Sequence, residues 1–296
     1  TVSNASGTVV GANITNADIN CTTNQYTVGS GAGGITGYTG SNLQLTDGTN
    51  TITVAGGSTS YVFPARNSGS TYNLSITSQP SSPTQTCNII NITGTLTNAN
   101  ITNATINCTT DTYTVGSVAG GLTGYTGNGL QLSDGTNTIT LASGATQFTF
   151  PARASGSAYT VTVATQPTTP NQTCSVTNAG GTIAAANVTN VSVSCVTDTH
   201  TVSANVTGYA GTTSLVLQNN GGNNLSIAGN GISTFSTSVT SGNPYNVTVL
   251  TQPTLPTQTC SVVSGSGTMA GVNVTVVVNC TTNTYAVSGT ITGFSS

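Results

Sequence analysis

The chain of 296 residues carries almost no charge, with two Lys or Arg residues, five Asp or Glu residues and one His. Charged residues make up 2% of it, against about 25% in ordinary soluble domains. Without a basic surface it lacks the attraction that dominates binding to nucleic acids and to anionic lipids. Every apolar run is also too short to span a bilayer. We therefore expect no nucleic-acid partner and no membrane insertion.

The first segment, residues 1–21, reads TVSNASGTVVGANITNADINC and ends in Cys21. Aligned with a later copy of the same phrase, it predicts the closing hairpin of a preceding module, with Cys21 at the position of Cys195. The counterpart of Cys174 then falls immediately before Thr1. We expect Cys21 to be a half-cystine whose partner lies outside this window. The chain is then either a segment of a longer protein or one unit of a polymer.

After this hairpin, one module recurs at intervals of about 87 residues. Two series of cysteines run in step, and phrases such as LQLTDGTNTIT and LQLSDGTNTIT, or PTQTC and PNQTC, return between them. The predicted modules are residues 22–108, 109–195 and 196–280. Residues 281–296 repeat the first strand of a following module, with Phe294 at the position of Tyr38.

Each module reads as a set of short β-strands. Tyr159, Val161 and Val163 alternate with threonines, as in a half-buried strand. Asp-Gly pairs such as Asp47-Gly48 predict tight hairpin turns between the strands. No segment shows a helical stripe, and about seven strands fit each module. The predicted fold class is all-β, with tandem antiparallel β-sandwich modules of immunoglobulin-like type.

The cysteines within each module lie at the two ends of a predicted hairpin. Folding that hairpin would bring the ends together, which predicts three disulfides: Cys87 with Cys108, Cys174 with Cys195, and Cys260 with Cys280. Closing a loop of about 20 residues should contribute roughly 3 kcal/mol. Disulfides of this kind require an oxidising compartment, so we expect an exported, extracellular or cell-surface protein.

The phrases YTVxVxTQP, QTC and ANVTNVxVxC resemble the tandem immunoglobulin-like repeats of large bacterial surface proteins and secreted adhesins. The resemblance implies a stalk, filament or adhesive array outside the cell. Our leading hypothesis is a structural, non-catalytic array that associates with itself. The alternative is a multivalent adhesin that binds carbohydrate or a host surface through loop Tyr and Asn residues. Its predicted stacking platforms are Tyr38, Tyr125 and Tyr209, and buried rings would end that version.

Several residues could belong to a binding or catalytic site, but each also has a simpler structural interpretation. His200 takes a position held by tyrosine in the other modules, which favours packing. The GSGAGG run at 29–34 has dinucleotide-loop spacing, but strands follow it, which favours a bend. Arg66 and Arg153 could bind an acid group, although the third module carries Val239 there. Asp111 and Asp198 are weak candidates for a calcium site between modules.

With no Glu, no Lys and one His, acid-base and nucleophilic catalysis have few carriers. We expect no enzyme activity, no metal and no cofactor. Asn-x-Ser/Thr triplets are frequent, and the sequence leaves open whether they carry glycans or arise by chance from an Asn- and Thr-rich composition. These triplets include those that begin at Asn13, Asn73, Asn100, Asn103, Asn187, Asn190, Asn246 and Asn273.

Overall fold

The computed structural model describes residues 1–4 and 6–293, so the expectation for Phe294 lies outside the described residues. Every element of regular secondary structure over these ranges is a β-strand. The described residues include no helix long and apolar enough to cross a membrane. The described residues form two compact units. One holds the chain up to Thr114 with Pro151–Ala158 and Gly181–Val188; the other holds Val115–Phe150, Tyr159–Gly180 and the chain from Thr189 onward.

The strands fall into a short first hairpin and three similar series. The hairpin and the first series comprise β1 (Val2–Ser3), β2 (Asp18–Ile19), β3 (Gln25–Tyr26), β4 (Ile35–Thr36), β5 (Leu43–Thr46), β6 (Thr51–Val54), β7 (Arg66–Asn67), β8 (Thr71–Asn73), β9 (Ser75–Ser78), β10 (Gln85–Ile89), β11 (Thr93–Thr95) and β12 (Ile106–Thr110). The second series comprises β13 (Thr112–Tyr113), β14 (Leu122–Thr123), β15 (Gln131–Ser133), β16 (Thr138–Thr140), β17 (Arg153–Ala154), β18 (Ala158–Thr160), β19 (Thr162–Thr165), β20 (Gln172–Thr177), β21 (Gly180–Thr182) and β22 (Ser192–Thr197). The third series comprises β23 (Thr199–His200), β24 (Val202–Thr207), β25 (Leu215–Asn219), β26 (Asn223–Ile227), β27 (Gly231–Thr234), β28 (Val239–Thr240), β29 (Pro244–Thr251), β30 (Gln258–Val263), β31 (Ser266–Thr268) and β32 (Val274–Thr282).

The third series shows how alternating residues build the core. One sheet has the order β27-β24-β32-β30 and the other β26-β25-β29-β31. Val206 and Val278 from the first sheet and Leu217 from the second belong to one cluster of buried apolar side chains, and all three are fully buried. Two sheets that share a core between them form a β-sandwich. The first series has an equivalent core around Leu43, Leu45 and Ile106.

The predicted all-β class, with antiparallel sheets and hairpin disulfides, is confirmed. The three disulfides join the predicted pairs, and in each the two cysteines face each other across an antiparallel ladder, as Cys87 does Cys108 in β10 and β12. Burial of all six half-cystines follows from this inward-facing register. Such disulfides indicate an oxidising compartment.

One pairing departs from the antiparallel expectation. In each series an early strand lies parallel to the closing strand: β4 beside β12, β14 beside β22, and β24 beside β32. The first two contain two residue pairs each, whereas β24 and β32 form six consecutive pairs. The Gly-rich run accounts for the difference, because a turn at Ala32 and Gly33 separates the parallel bridge between Val28 and Ile101 from β4. Gly33 has φ +76° in this turn, a conformation that glycine adopts readily.

The segments at either end of the described chain have few contacts. Strands β1 and β2 pair Val2 with Ile19, the register that Val176 and Val193 adopt in the second series. Residues 1–4 and 6–25 are all exposed, and Cys21 forms no disulfide with another described residue. Residues 283–293, where a first strand is predicted, contain no strand, and Val287 is completely exposed. The predicted module bounds remain predictions.

Removing one disulfide should destabilise the module that contains it. We expect the double substitution Cys260→Ala, Cys280→Ala to lower the free energy of unfolding of that module by about 3 kcal/mol, because the unfolded chain regains the freedom of the closed loop. Urea denaturation followed by circular dichroism measures the change. Cys21→Ala is the matched control, since Cys21 is exposed and lies outside the three disulfides. An unchanged transition in the double variant would contradict the assignment.

Candidate functional site

Each disulfide lies between two glutamines that sequence reasoning did not single out. We call this group the cystine corner. Its members are Gln79, Gln85, Cys87 and Cys108 in the first module, Gln166, Gln172, Cys174 and Cys195 in the second, and Gln252, Gln258, Cys260 and Cys280 in the third. The signal was present in the recurring TQP and QTC phrases. A Gln retained at one offset from a cystine can supply both a donor and an acceptor.

The first glutamine binds the backbone of the first cysteine. The Cys87 amide donates to Gln79 Oε1 at 2.8 Å, and Gln79 Nε2 donates to the Cys87 carbonyl at 3.1 Å. The pairs Gln166–Cys174 and Gln252–Cys260 have the same two bonds. A side-chain amide here replaces a neighbouring strand, because it satisfies both backbone groups of the cysteine.

The second glutamine fastens the loop after the early strand to the closing hairpin. Gln85 is 1% exposed. Its Oε1 accepts hydrogen bonds from the amides of Thr39 (2.9 Å) and Gly40 (2.8 Å). Its Nε2 donates to the Gly37 carbonyl at 2.8 Å and to Thr110 Oγ1 at 3.0 Å. All four bonding positions of the amide are therefore used, as a buried polar group requires.

These contacts of the second glutamine, which we call the clasp, recur in the other modules. Gln172 makes the four equivalent bonds, and Gln258 binds the Ala210 amide, the Gly208 carbonyl and Thr282 Oγ1. The glycine that follows the early strand is also fixed by this contact. Gly37 has φ +71°, and a Cβ there would lie 2.1 Å from the Cys108 carbonyl oxygen, so a larger residue would force the strands apart.

The chain passes from one module to the next through a hydrogen-bonded junction. In the first compact unit, the Thr84 amide donates to Ser155 Oγ at 3.0 Å, and the Ser155 amide donates to the Asp111 carbonyl at 2.8 Å. The Asp111 amide returns a bond to the Thr84 carbonyl at 3.0 Å. Pro83 lies against Gly156, where an added Cβ would be 3.3 Å from the proline Cβ. Turn, linker and receiving loop are thus joined in one closed set of contacts.

The second compact unit contains the same junction one module later. The Asn171 amide donates to Ser241 Oγ at 2.9 Å, and the Ser241 amide donates to the Asp198 carbonyl at 2.8 Å. Pro170 faces Gly242 at the same 3.3 Å separation. Because bonds and spacing recur, each junction is a specific contact between folded parts.

Half of this junction is exposed on the third module. Asn283 donates its amide to the Thr257 carbonyl at 2.9 Å, as Asp111 does to Thr84. Pro256 and Thr257 are exposed, whereas their counterparts Pro83, Thr84, Pro170 and Asn171 are partly covered. The receiving loop of the first module is less covered too, since Ser68 is half-buried while Ser155 is 6% and Ser241 is 4% exposed.

The three tyrosines predicted as stacking platforms are buried, which corrects that assignment. Tyr38, Tyr125 and Tyr209 are 5%, 4% and 8% exposed. Their hydroxyl groups donate to backbone carbonyls of Val54 (3.0 Å), Leu141 (3.1 Å) and Thr213 (2.7 Å). A ring enclosed in the core cannot stack on a sugar, so these residues pack the sandwich and satisfy nearby loops.

Arg66 has a structural partner. Its guanidinium Nη1 lies 3.5 Å from Asp47 Oδ2, whose carboxylate is fully buried. Asp47 Oδ1 also accepts bonds from the amides of Thr49 (2.8 Å) and Asn50 (2.6 Å), which close the turn. The third module has Asn219 and Val239 at these positions, so both charges are replaced together.

The remaining candidates have ordinary structural contacts. Asp111 Oδ1 accepts a bond from Thr86 Oγ1 at 2.8 Å, and the neutral Asn283 accepts the same bond from Thr259 at 2.9 Å. His200 pairs with Val239 across two strands. The side chains of Asn100, Asn187 and Asn273 accept bonds from the backbone amides of Thr27, Thr114 and Thr201, each at 2.9 Å. Within residues 1–4 and 6–293, no three His, Cys, Asp or Glu side chains cluster as metal ligands would.

The described surface has shallow concavities. One of about 340 Å³ in the third module is lined by Asn219, Asn220, Asn223 and Asn243. Two of these side chains bond to the backbone: Asn219 Oδ1 accepts the Asn246 amide, and Asn220 Nδ2 donates to the Pro244 carbonyl. These asparagines therefore hold the loops of the third module together.

Comparison with known proteins gives little. No family model matches the chain, and no curated protein matches it. Among solved structures it is similar to the Bacillus anthracis TIE protein, with 10% identity and a TM-score of 0.47 over 87% of this chain and 51% of that one. The chain thus spans about half the length of that protein. We base no argument on a likeness this weak.

Replacing the clasp glutamine should destabilise its module. Gln258→Met keeps the side-chain volume but leaves the Ala210 amide and the Gly208 carbonyl without partners. We expect a loss of about 2–4 kcal/mol in the free energy of unfolding, measured by urea denaturation. Gln218→Met is the matched control, because Gln218 bonds only to the exposed side chain of Asn224 and accepts none of the loop amides. Equal losses in both variants would contradict the clasp.

The buried Asp47 should make the first module sensitive to acid. Burial alone would raise the pKa of Asp47, but bonds from Asn50 and Thr49 and the charge of Arg66 outweigh burial, so the pKa lies below its ordinary 3.8. Since the folded-state pKa is below the unfolded-state one, this stabilisation is complete above about pH 4 and is lost as the pH falls through the folded-state value. The double variant Asp47→Asn, Arg66→Val, which copies Asn219 and Val239, should lack this dependence. Urea midpoints between neutral and acidic pH test it; parallel pH profiles for the two proteins would be the contrary result.

Proposed function

We propose that this protein is a structural, non-catalytic element of an extracellular array, in which modules follow one another to build a filament or a cell-surface stalk. The chain is all-β and rich in disulfides, and these indicate an oxidising compartment. Modules that contact only their neighbours add length without a new core at each step. The resemblance to tandem surface repeats points the same way.

One observation carries the proposal: the two junctions share the same three hydrogen bonds. Thr84, Ser155 and Asp111 make the contacts that Asn171, Ser241 and Asp198 repeat. A flexible linker between independent domains has no need of such contacts. A repeated and specific junction is what supports an array with defined steps.

The partner in this proposal is the same kind of module, in the same chain or in a second copy. Pro256 and Thr257, which are exposed, and Ser68, which is half-buried, correspond to the two halves of a junction that occurs twice within the chain. Lysine, which commonly protects exposed strand edges from pairing, is absent from the sequence. Both features favour association of copies.

The adhesin alternative loses its main support. Its stacking platforms were Tyr38, Tyr125 and Tyr209, and these rings are buried. Asparagines at the surface remain, but Asn219 and Asn220, which line the concavity of the third module, bond to the backbone. We therefore do not carry carbohydrate binding forward.

Self-association should be nearly independent of salt, because a chain with seven charged residues other than His has little charge to screen. We expect sedimentation velocity to show concentration-dependent oligomers at both low and high ionic strength, and negative-stain micrographs to show elongated assemblies. Thr257→Glu should weaken them by placing a charge in the junction. Thr275→Glu adds the same charge on the outer face of β32 and is the control. A monomer at every concentration, or assembly that disappears in high salt, would contradict self-association.

A further inference from the structure

We propose that each module resists tension: its parallel strand pair, fastened by the clasp glutamine, bears the force in shear, and its disulfide limits how far an opened module extends. This inference deepens the proposed structural role and rests on it, because a stalk or filament outside a cell is pulled along its length. It concerns the individual module, and its test differs from the assembly test above.

Tension would reach each module directly. The closing strand β12 ends at Thr110 and β13 begins at Thr112, so Asp111 alone separates them. Asp198 alone likewise separates β22 from β23. Both linking residues are held by backbone bonds to the turn of the preceding module. There is no slack segment to absorb an extension, and a pull on one module passes into the early strands of the next.

The direction of the strands decides how that pull acts. In the third module the force enters through β23, which pairs with β28, reaches the start of the early strand β24 and leaves at the end of the closing strand β32. Because β24 and β32 run parallel, these two points lie at opposite ends of the ladder. The strands must then slide past each other, and the evenly spaced bonds of a parallel pair are all loaded together. An antiparallel pair would have both points at one end and would open one bond at a time.

The clasp glutamine adds to this resistance at the far end of the early strand. Gln85 binds Gly37, Thr39 and Gly40, which immediately follow β4. It sits on β10 and also bonds to Thr110 on β12, so it ties the early strand to both strands of the cystine hairpin. Sliding the early strand would break these buried bonds at the same time as the backbone ladder.

The three modules should differ in strength. The third has an unbroken ladder of six parallel pairs, whereas the first and second have two consecutive pairs each, and the first has one separate parallel bridge, between Val28 and Ile101. More bonds loaded together require a larger force for the same rate of opening. We therefore expect the third module to be the last to open when the whole chain is pulled by its ends.

The disulfide sets the length released when a module opens. Cys260 and Cys280 are 20 residues apart, and the segment between them cannot extend while the bond is intact. At 3.3–3.6 Å per extended residue, reduction should lengthen each opening event by about 70 Å. The closing hairpin therefore cannot be pulled out to its full length in an oxidised module.

Single-molecule stretching of the whole chain at constant force tests these points. A flexible insertion of about ten Gly and Ser residues between Gly221 and Gly222, where an added Cβ meets nothing within 4 Å, labels the third module by lengthening its event by about 35 Å. We expect the labelled event to be the slowest. Reductant should add about 70 Å to every event. The proposal is wrong if the labelled module opens first or with the others, or if reductant leaves the event lengths unchanged.

The clasp is tested in the same labelled chain. Gln258→Met should raise the opening rate of the third module at fixed force by roughly tenfold or more, whereas Gln218→Met, in the other sheet, should change it less than about twofold. Circular dichroism checks that the variant is folded. If the variant does not fold, the order of events in the wild-type chain still tests the shear argument. Equal rates for the two variants would overturn the role of the glutamine. Assembly seen by sedimentation is unaffected by any of these outcomes, so the proposed array and its resistance to tension can fail separately.

Discussion

A buried glutamine amide holds together the parts of each module that are farthest apart along the chain. Gln85 joins Gly37, 48 residues before it, to Thr110, 25 residues after it, and does so inside the protein, where unpaired polar groups are costly. The disulfide closes the hairpin that presents this glutamine, and the other glutamine, Gln79, fixes the backbone of Cys87. The disulfide, the clasp and the parallel ladder are therefore joined in one structural unit. The junction to the next module begins at Asp111, directly after the closing strand β12.

One pair of the few charged residues also has a structural role. The ion pair of Asp47 and Arg66 lies at a turn, and in the third module both members are replaced, by Asn219 and Val239. Losing one member alone would leave a buried charge without its partner, which is strongly destabilising. The clasp and the junctions are held by hydrogen bonds between neutral amides, hydroxyls and carbonyls. These bonds have no net charge for salt to screen.

The sequence predicted the strand content, the recurrence of the module and the three hairpin disulfides, because each depends on local alternation or on regular spacing. It did not predict the parallel pairing of β24 with β32, because an alternating pattern shows which face of a strand is buried but not which strand lies beside it. Tyr38 was read as a loop residue since it lies between glycines and threonines. Its burial depends on the Val54 carbonyl, which only the folded chain brings near. The roles of Gln79 and Gln85 were hidden because a buried Gln looks like any other polar residue until its partners are known.

The junction has a consequence for how such a gene can change. Because the contact made by Thr84, Asp111 and Ser155 recurs with Asn171, Asp198 and Ser241, the two boundaries are built in the same way. Unequal crossing-over that deletes or duplicates one 87-residue unit would leave every remaining boundary with both of its halves. The length of the product can therefore vary between lineages without compensating substitutions, and its reach can be selected separately from its stability.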